Sequence, residues 1–376
     1  MKNYRTWIEV SKKALRNNIN QYKKTIGDNI LAPVIKGNAY GHGLMEVARI
    51  CQENDNVGWL CVATAEEALT LRKNNISKPI LILVYMGNDL EQIALHNIAV
   101  TVQDKETIKK LHAAGKNVGK KCKIHIKIDT GLSRLGVFPQ QALNLIKYAQ
   151  TQGSIQVDGM WTHFAEAQEP NRTFTNIQIS RFNNLIEKLE QEGIKIPIIH
   201  SSNSSGTTTV ESKYENLFRV GVGIYGYWAS EYIKEVTKKK FPEFSLQPVL
   251  SWKTTIAHIK KIPAGSFIGY MRTCQAKKDS LIANIPVGYL DGYDRRLSNS
   301  SHVIINNQSA KVVGLITMNI ISVDVTNIKD VHIGNEVTLI GNTKNITASE
   351  LGHIGNFNVR ELTTRLNPTI PRIIVD

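Results

Sequence analysis

Eight short runs rich in β-branched residues alternate with helical patterns between residues 29 and 226, and this alternation constrains the fold more than any other feature. The runs are APVIK, WLCVAT, ILILVYM, AVTVQD, KIHIKID, GMWTHF, IPIIHSS and FRVGVGIYG. One amphipathic stretch between them places Ile177, Phe182, Leu185, Ile186 and Leu189 on a single helical face. Eight strand–helix units in succession predict an α/β fold, a parallel (β/α)8 TIM-type barrel. A doubly wound sheet is the alternative, but it more rarely contains eight such units.

The pattern changes after residue 240, where closely spaced strand patterns are separated by Gly, Asn and Pro turns. The strand patterns are VLSWKTTIAHIKKI, SLIANIPVGY, HVIINNQSAKVVGLITM, IISVDV and NEVTLIG. Only TASELGHI is typical of a helix, with Thr347 as the expected N-cap. We therefore expect a barrel domain over residues 1–240 and a mainly β C-terminal domain over 241–376, joined within the charged segment 229–248.

Composition excludes some classes of protein. No segment approaches the roughly 20 apolar residues that a membrane helix needs, and the first residues contain no apolar signal-peptide region. We expect a cytoplasmic protein that does not associate with membranes. The four cysteines (Cys51, Cys61, Cys122, Cys274) lack CxxC spacing, so neither a metal site nor a disulfide framework is indicated, and reduced, mostly buried thiols are expected.

The formal net charge of +14 raises nucleic acid as a partner. The lysines are scattered, however, and tight clusters occur only in 116–123 and 236–241. Neither zinc-finger spacing nor an aromatic RNA-binding motif accompanies them. A basic surface, or attraction for anionic small molecules, is the favoured interpretation, and no nucleic-acid partner is expected.

Lys36 ends the first predicted strand and is followed by Gly37, Gly41 and Gly43. Three glycines in seven residues disfavour both helix and strand, and they allow the backbone to approach a ligand closely. A surface lysine followed by an ordinary loop is the simpler interpretation. The other is a reactive amine above a pocket, because ligands of such barrels bind at the carboxyl ends of the strands.

Further polar residues follow the later strands of the predicted barrel. They are Arg134 after strand 5, His163 after strand 6, the loop HSSNSSG with His200, Asn203 and Ser204 after strand 7, and Arg219 and Gly221 on strand 8. Each alone is an ordinary structural residue. Together, a lysine, a loop suited to phosphate and an arginine on one rim are the parts of a pyridoxal phosphate (PLP) site.

The sequence resembles the alanine racemases, PLP enzymes built as a barrel plus a β domain. The resemblance extends from TWIEVSKKALRNN to PTIPRIIV, nearly the whole chain. It rests on motifs that occur in the family's order. These are VIKGNAYGHG, DTGLSRLG, THFA, HSSNSSG, RVGVGIYG, IPVGYLDGYDRRL and VVGLITMN.

The resemblance implies a role for each matching residue. Lys36 would hold PLP as a Schiff base and act as one of two bases, and Tyr270, supplied by the partner of a homodimer, would be the other. Arg219 would face the pyridine nitrogen, and Arg134 and Met318 would bind the substrate carboxylate. Other residues would support the site. They are Tyr40, Ser204, Gly221 and Val222 at the phosphate, Asn203 beside the cofactor, and His163 and His200 linking Arg219 to Tyr270. Lys127 lies where the family often carries a carbamylated lysine that braces the arginine at 134; an ordinary lysine paired with an acid is the alternative.

The implied activity is interconversion of L- and D-alanine, which supplies D-alanine for peptidoglycan, without a metal. This chain departs from the family's usual residues at Gly37, Met271 and Pro368, and at Leu315 and Thr317. These departures lie around the implied substrate channel, so racemisation of serine or of several amino acids is an alternative. A related PLP decarboxylase is disfavoured, because such enzymes place an acid where Arg219 stands. A PLP homeostasis protein, which has the barrel alone, is disfavoured by the β domain with Tyr270 and Met318.

Overall fold

A computed structural model of the chain describes residues 4–376. One compact unit, formed by Leu15–Gly37 and Ala48–Gln247, contains eight parallel strands. They are β2 (Ile30–Pro33), β3 (Leu60–Thr64), β4 (Ile80–Tyr85), β5 (Ala99–Val102), β6 (Cys122–Lys127), β7 (Ile155–Trp161), β8 (Ile198–His200) and β9 (Leu217–Val220). Strands β3 to β8 form one sheet in chain order, β2 pairs with β9, and a Val34–Cys61 bridge joins β2 to β3. The predicted barrel is confirmed.

Helices separate the barrel strands. They are α1 (Lys12–Ile26), α2 (Lys36–Tyr40), α3 (Leu44–Gln52), α4 (Ala65–Lys73), α5 (Leu90–Leu95), α6 (Lys105–Asn117), α7 (Pro139–Gln150), α8 (Thr173–Gln191), α9 (Ser204–Thr209) and α10 (Glu231–Lys240). Side-chain caps fix where several begin: the Thr64 side chain accepts from Glu67 N, and that of Asp104 from Thr107 N. On α8 the four apolar residues from Phe182 to Leu189 are buried as predicted, whereas Ile177 is 41% exposed and lies outside that face.

The second unit comprises the described residues up to Ala14, Asn38–Val47 and Pro248–Asp376. Its strands are β1 (Thr6–Ser11), β10 (Leu250–Thr255), β11 (His258–Ile262), β12 (Phe267–Ile268), β13 (Cys274–Gln275), β14 (Ser280–Ile285), β15 (His302–Ile305), β16 (Gln308–Val312), β17 (Ile321–Asp324), β18 (Glu336–Ile340) and β19 (Arg372–Val375). Nine of them form a sheet in the order β11-β14-β17-β16-β15-β18-β10-β1-β19, and β12 pairs with β13. Two short helices lie between β18 and β19, α11 (Ala348–Ile354) and α12 (Val359–Thr364). The mainly β character of the C-terminal region is confirmed.

Three features of these units bear on the sequence predictions. Thr347 caps α11 and forms a capping box with Glu350, as expected. The segment 229–248 contains α10, and β1 joins the sheet of the second unit by pairing with β10 and β19. The boundary at residue 240 stays a prediction.

Cys51, Cys61 and Cys122 are buried free thiols and Cys274 is half-buried. No helix within residues 4–376 is long and apolar enough to span a membrane.

Candidate active site

Lys36 lies just beyond β2 and begins α2, which is a single left-handed turn. The four residues after it have left-handed φ angles: Gly37 62°, Asn38 53°, Ala39 52° and Tyr40 54°. Left-handed backbone costs about 1–2 kcal/mol per non-glycine residue, so consecutive residues adopt it only where the surroundings impose it. The sequence pattern predicted a close backbone approach here but not a left-handed turn through three residues with side chains.

Hydrogen bonds after the turn fix its shape. The Asn38 carbonyl accepts from Gly43 N at 2.9 Å, and Asn38 Oδ1 accepts from Leu44 N at 2.8 Å at the start of α3. The buried His42 ring places Nδ1 3.0 Å from Ala39 O and 3.1 Å from Tyr40 O. Burial lowers the pKa of His42 to about 3, so the ring is neutral and its Nδ1–H donates to these carbonyls.

Within the second unit, Arg372 and Thr363 hold the same turn. Arg372 donates to the Gly41 carbonyl from Nε at 3.2 Å and from Nη2 at 3.1 Å, and also to the carbonyls of Leu366, Asn367 and Ile370. Gly41 has φ +86°, and a Cβ there would overlap the Thr363 carbonyl oxygen. Only glycine fits at this position.

Arg219 is buried on β9 and ties three strand ends together. Its Nη2 donates to the carbonyls of Thr162 and Ser201, each at 2.9 Å, and its Nη1 donates to His200 Nδ1 at 2.5 Å. Nη2 also lies 3.4 Å from His163 Nδ1. Burial lowers the pKa of Arg219 to about 10, which leaves the guanidinium charged at neutral pH.

The arginine fixes the protonation of two histidines in series. Because Arg219 can only donate, His200 Nδ1 accepts and His200 Nε2 carries the proton. His200 Nε2 lies 2.8 Å from His125 Nδ1, so it donates to His125. Burial lowers the pKa of His200 well below its usual range, and that of His125 to about 3, so both rings are neutral.

Lys127 and Trp161 lie beside the hydrogen-bonded series of Arg219, His200 and His125. The Lys127 ammonium nitrogen lies 3.3 Å from the centre of the Trp161 ring, which also stacks on His200 and lies under Arg219. Lys127 is 3% exposed, and in the part of the chain that the structure describes its Nζ has no hydrogen-bond partner and no ion pair. Burial, then the charges of Arg219 and Arg134, lower its pKa well below the usual range. The paired lysine weighed from the sequence is not observed.

His163 lies near several basic side chains on this rim of the barrel. Burial lowers the pKa of His163 well below its usual range, and nearby positive charges lower it further. Those charges belong to Arg219, Arg134 and Lys36, and to Lys127 when it is protonated. The barrel unit therefore brings together five residues singled out from the sequence, although Arg134 lies in an exposed loop after β6.

The loop between β8 and α9 is tightly hydrogen-bonded. Asn203 Oδ1 accepts from Ser205 N and Gly206 N, each at 3.0 Å, and so caps α9. Ser204 Oγ accepts from Gly221 N at 3.1 Å and Gly223 N at 3.2 Å, just before and within a 3₁₀ turn that contains Val222. The Gly221 amide, which the resemblance assigns to the phosphate, therefore already has an acceptor in the Ser204 side chain.

Tyr270 and Met318 belong to the second unit, and both are solvent-exposed, at 69% and 51%. Tyr270 lies in a tight turn after β12 in which Gly269, Met271 and Arg272 all have positive φ. Met271 is 80% exposed. The turn therefore presents Tyr270 and Met271 outward on a strained backbone.

Three residues of the barrel site were not singled out from the sequence. His125 and Trp161 precede Lys127 and His163 by two positions, and a strand's period of two places them on the same face. That periodicity could have identified both. Glu215 lies in the segment before β9, and no local pattern marks it.

Active sites of barrel enzymes lie at the carboxyl ends of the strands, and there this barrel carries a lysine, an arginine and neutral histidines. These features define the class of protein as a barrel enzyme. The family model for the alanine racemase N-terminal domain matches residues 10–229, and that for the C-terminal domain matches 249–374. This chain therefore belongs to the alanine racemase family.

Individual relatives agree. The chain is 37% identical to the alanine racemase of Methanococcus maripaludis over 373 residues, which cover 98% of both chains. The solved alanine racemase of Clostridium difficile superposes with a TM-score of 0.93 at 31% identity, covering 100% of this chain and 97% of the other. A histidine racemase from Leuconostoc mesenteroides superposes with a TM-score of 0.89 at 28% identity, covering 100% and 99%.

Proposed function

We propose that this chain is a PLP-dependent racemase that interconverts L- and D-alanine and supplies D-alanine for peptidoglycan in the cytoplasm. The observation that supports it most is the full-length family match combined with Lys36 and Arg219 on one rim of the barrel. A fold alone would not identify the reaction, because many activities share this barrel.

The residues on the rim fit PLP chemically. PLP supplies an aldehyde that binds amines and a ring that withdraws electrons from the bound amino acid. The rim offers the amine of Lys36, and around it the positive charges of Arg219 and Arg134. The positive charges of Arg219 and Arg134 suit an anionic cofactor and an anionic substrate.

Each side chain then has a distinct task. Lys36 and Tyr270 move protons on opposite faces of the α-carbon, since inversion requires one group on each side. Arg219 would lie beside the ring nitrogen of PLP, and its positive charge would disfavour protonation of that nitrogen. Arg134 and Met318 receive the substrate carboxylate. The phosphate end is assigned to Tyr40, Ser204, Gly221 and Val222, with Asn203 and His163 beside the cofactor.

Lys127 is proposed to be carbamylated. A neutral buried amine can attack carbon dioxide, forming an N–C bond and releasing one proton, and the product is an anion. Burial and the neighbouring cations favour the neutral amine of Lys127, and the carbamate would then pair with Arg134. Mass spectrometry of the intact chain, kept at mildly alkaline pH with and without bicarbonate, tests this assignment.

The proposed active unit is a homodimer. Tyr270 and Met318 are exposed on the second unit, together with the apolar side chains of Phe267, Met271, Tyr289, Leu290 and Ile320. Exposed apolar groups near a proposed catalytic tyrosine suit a surface that a second copy covers.

The test is a chiral assay of the purified chain with PLP and separate L-alanine, L-serine, L-histidine and L-lysine. D-Alanine is expected to form fastest. Lys36→Ala should reduce the rate by about 10³-fold or more and abolish the visible absorption of the bound cofactor, whereas Lys109→Ala, at an exposed position on α6, should behave like the parent. Faster racemisation of serine or histidine would replace alanine as the substrate. Histidine is tested because one structural neighbour, with a TM-score of 0.89, is a histidine racemase.

A further inference from the structure

Between β8 and β9 the barrel is joined by one backbone hydrogen bond and by side-chain hydrogen bonds. Within residues 4–376 no backbone ladder joins these two strands, although every other neighbouring pair of barrel strands is joined by backbone pairing. Instead Asn216 spans the gap: its N–H donates to Ile199 O at 3.0 Å, its Oδ1 accepts from Ile199 N at 2.9 Å, and its Nδ2 donates to Pro197 O at 2.8 Å. We name this gap the β8–β9 seam.

Glu215 continues the seam beyond the end of β8. Its Oε1 accepts from Ser201 N and Ser202 N, each at 2.6 Å, and its Oε2 accepts from Ser201 Oγ at 3.0 Å and Ser202 Oγ at 2.7 Å. The residue is 6% exposed. Burial raises the pKa of Glu215, and the four donors that face the carboxylate oppose this shift because they favour the ionised form.

The peptide that Glu215 holds is connected to two parts of the proposed site. The Ser201 carbonyl accepts from Arg219 Nη2 at 2.9 Å, so a shift of this peptide would release one of the bonds that orient the guanidinium. Ser202 precedes Asn203, whose side chain caps α9. The next residue is Ser204, whose Oγ accepts from Gly221 N and Gly223 N. Glu215, which lies just before β9 in the sequence, therefore contacts the peptide that is linked to both features.

We propose that Glu215 is a positioning residue: its carboxylate holds the Ser201–Ser202 peptide so that Arg219 and the Asn203–Ser204 loop keep the geometry that binds the cofactor. The part that concerns the cofactor rests on the proposed function; the part that concerns the loop does not. The residue takes no part in proton transfer.

Three variants separate this role from closure of the barrel. Glu215→Ala removes all four bonds. Glu215→Gln keeps Oε1 for the two amides and offers Nε2 to the two hydroxyl oxygens, but it removes the charge. Asn216→Ala is the matched control, because it weakens the same seam at residues 197–199 without touching 201–204.

The first measurement is amide hydrogen exchange of the chain without cofactor. Glu215→Ala should accelerate exchange in residues 201–206 by about tenfold or more, Glu215→Gln should resemble the parent, and Asn216→Ala should accelerate only residues 197–200. Equal exchange of 201–206 in Glu215→Ala and Asn216→Ala would overturn the inference, whether or not the chain binds PLP.

The second measurement compares dissociation constants of PLP and of pyridoxal, which lacks the phosphate, followed by absorbance. Glu215→Ala should weaken PLP by about tenfold or more and pyridoxal by much less, and Glu215→Gln should restore PLP binding. Equal weakening of both ligands, or none, would overturn the role at the phosphate. If the parent chain itself binds no PLP, the proposed function fails, and the exchange result alone decides the role of Glu215 in the loop.

Discussion

At the scale of single residues, Gly41 is fixed by two independent requirements, a left-handed φ and the absence of space for a Cβ beside Thr363 O. Gly41→Ala should therefore lower the free energy of unfolding by about 3 kcal/mol or more. Gly265→Ala is the matched control, since Gly265 has φ +85° in the same unit and no atom within 4 Å of its Cβ position. It should lower that free energy by about 1 kcal/mol. Urea unfolding measures both, and equal losses would refute a steric role for Thr363.

A second residue-level prediction concerns acid stability. Three buried histidines, His42, His125 and His200, and the half-buried His163 have a lowered pKa. Below an unfolded pKa of about 6.5 the unfolded chain takes up protons that the folded chain excludes. Stability is therefore present above this pH and is lost as pH falls, by about 1.4 kcal/mol per pH unit for each histidine. Urea midpoints between pH 7.5 and 5 measure the slope.

His42→Gln provides the control for that slope, because His42 lies outside the proposed catalytic residues. The substitution should reduce proton uptake on unfolding by about one proton, even if it also lowers stability at neutral pH. An unchanged slope would mean that His42 does not remain neutral in the folded chain.

At the scale of elements, the turn around Tyr270 stores strain at Met271, whose φ is 58° although it carries a side chain. In the separated subunit, Met271→Gly should raise the free energy of unfolding by about 1 kcal/mol, because an 80% exposed side chain buries almost no surface against its own chain. Met271→Ala removes the thioether but keeps the strain, so it should match the parent. A stabilised alanine variant would show that the exposed side chain, rather than the backbone, is unfavourable.

The same scale shows which parts of the structure local sequence could predict. The eight barrel strands repeat one local pattern, and each is recognisable from its own β-branched residues. Strand β1 is a single strand before a helix, and its pairing with β10 and β19 involves residues more than 230 positions away. The turn after Lys36 is held by Arg372, and the site loop by Glu215, and neither contact has a local signal. Residues that act through hydrogen bonds to partners far away in the sequence cannot be identified from periodicity and motifs.

At the scale of the whole molecule, the proposed catalytic pair is divided between the barrel unit, which carries Lys36, and the second unit, which exposes Tyr270. If Tyr270 serves the partner's site, Lys36→Ala and Tyr270→Ala chains, each inactive alone, should complement each other. A mixed dimer has one site with both groups intact and one with neither. Random reassociation of equal amounts makes half of the dimers mixed, so about a quarter of the parental activity should return.

The control for complementation is a mixture of Lys36→Ala with the double variant Lys36→Ala/Tyr270→Ala, in which no site can contain both groups. This mixture should stay inactive, so any activity in the first mixture must come from a shared site. Mixed dimers must be isolated through two different affinity tags, because a failure to exchange subunits would resemble a failure to complement. Inactive mixed dimers that bind PLP as the parent does would mean that Tyr270 works within its own chain.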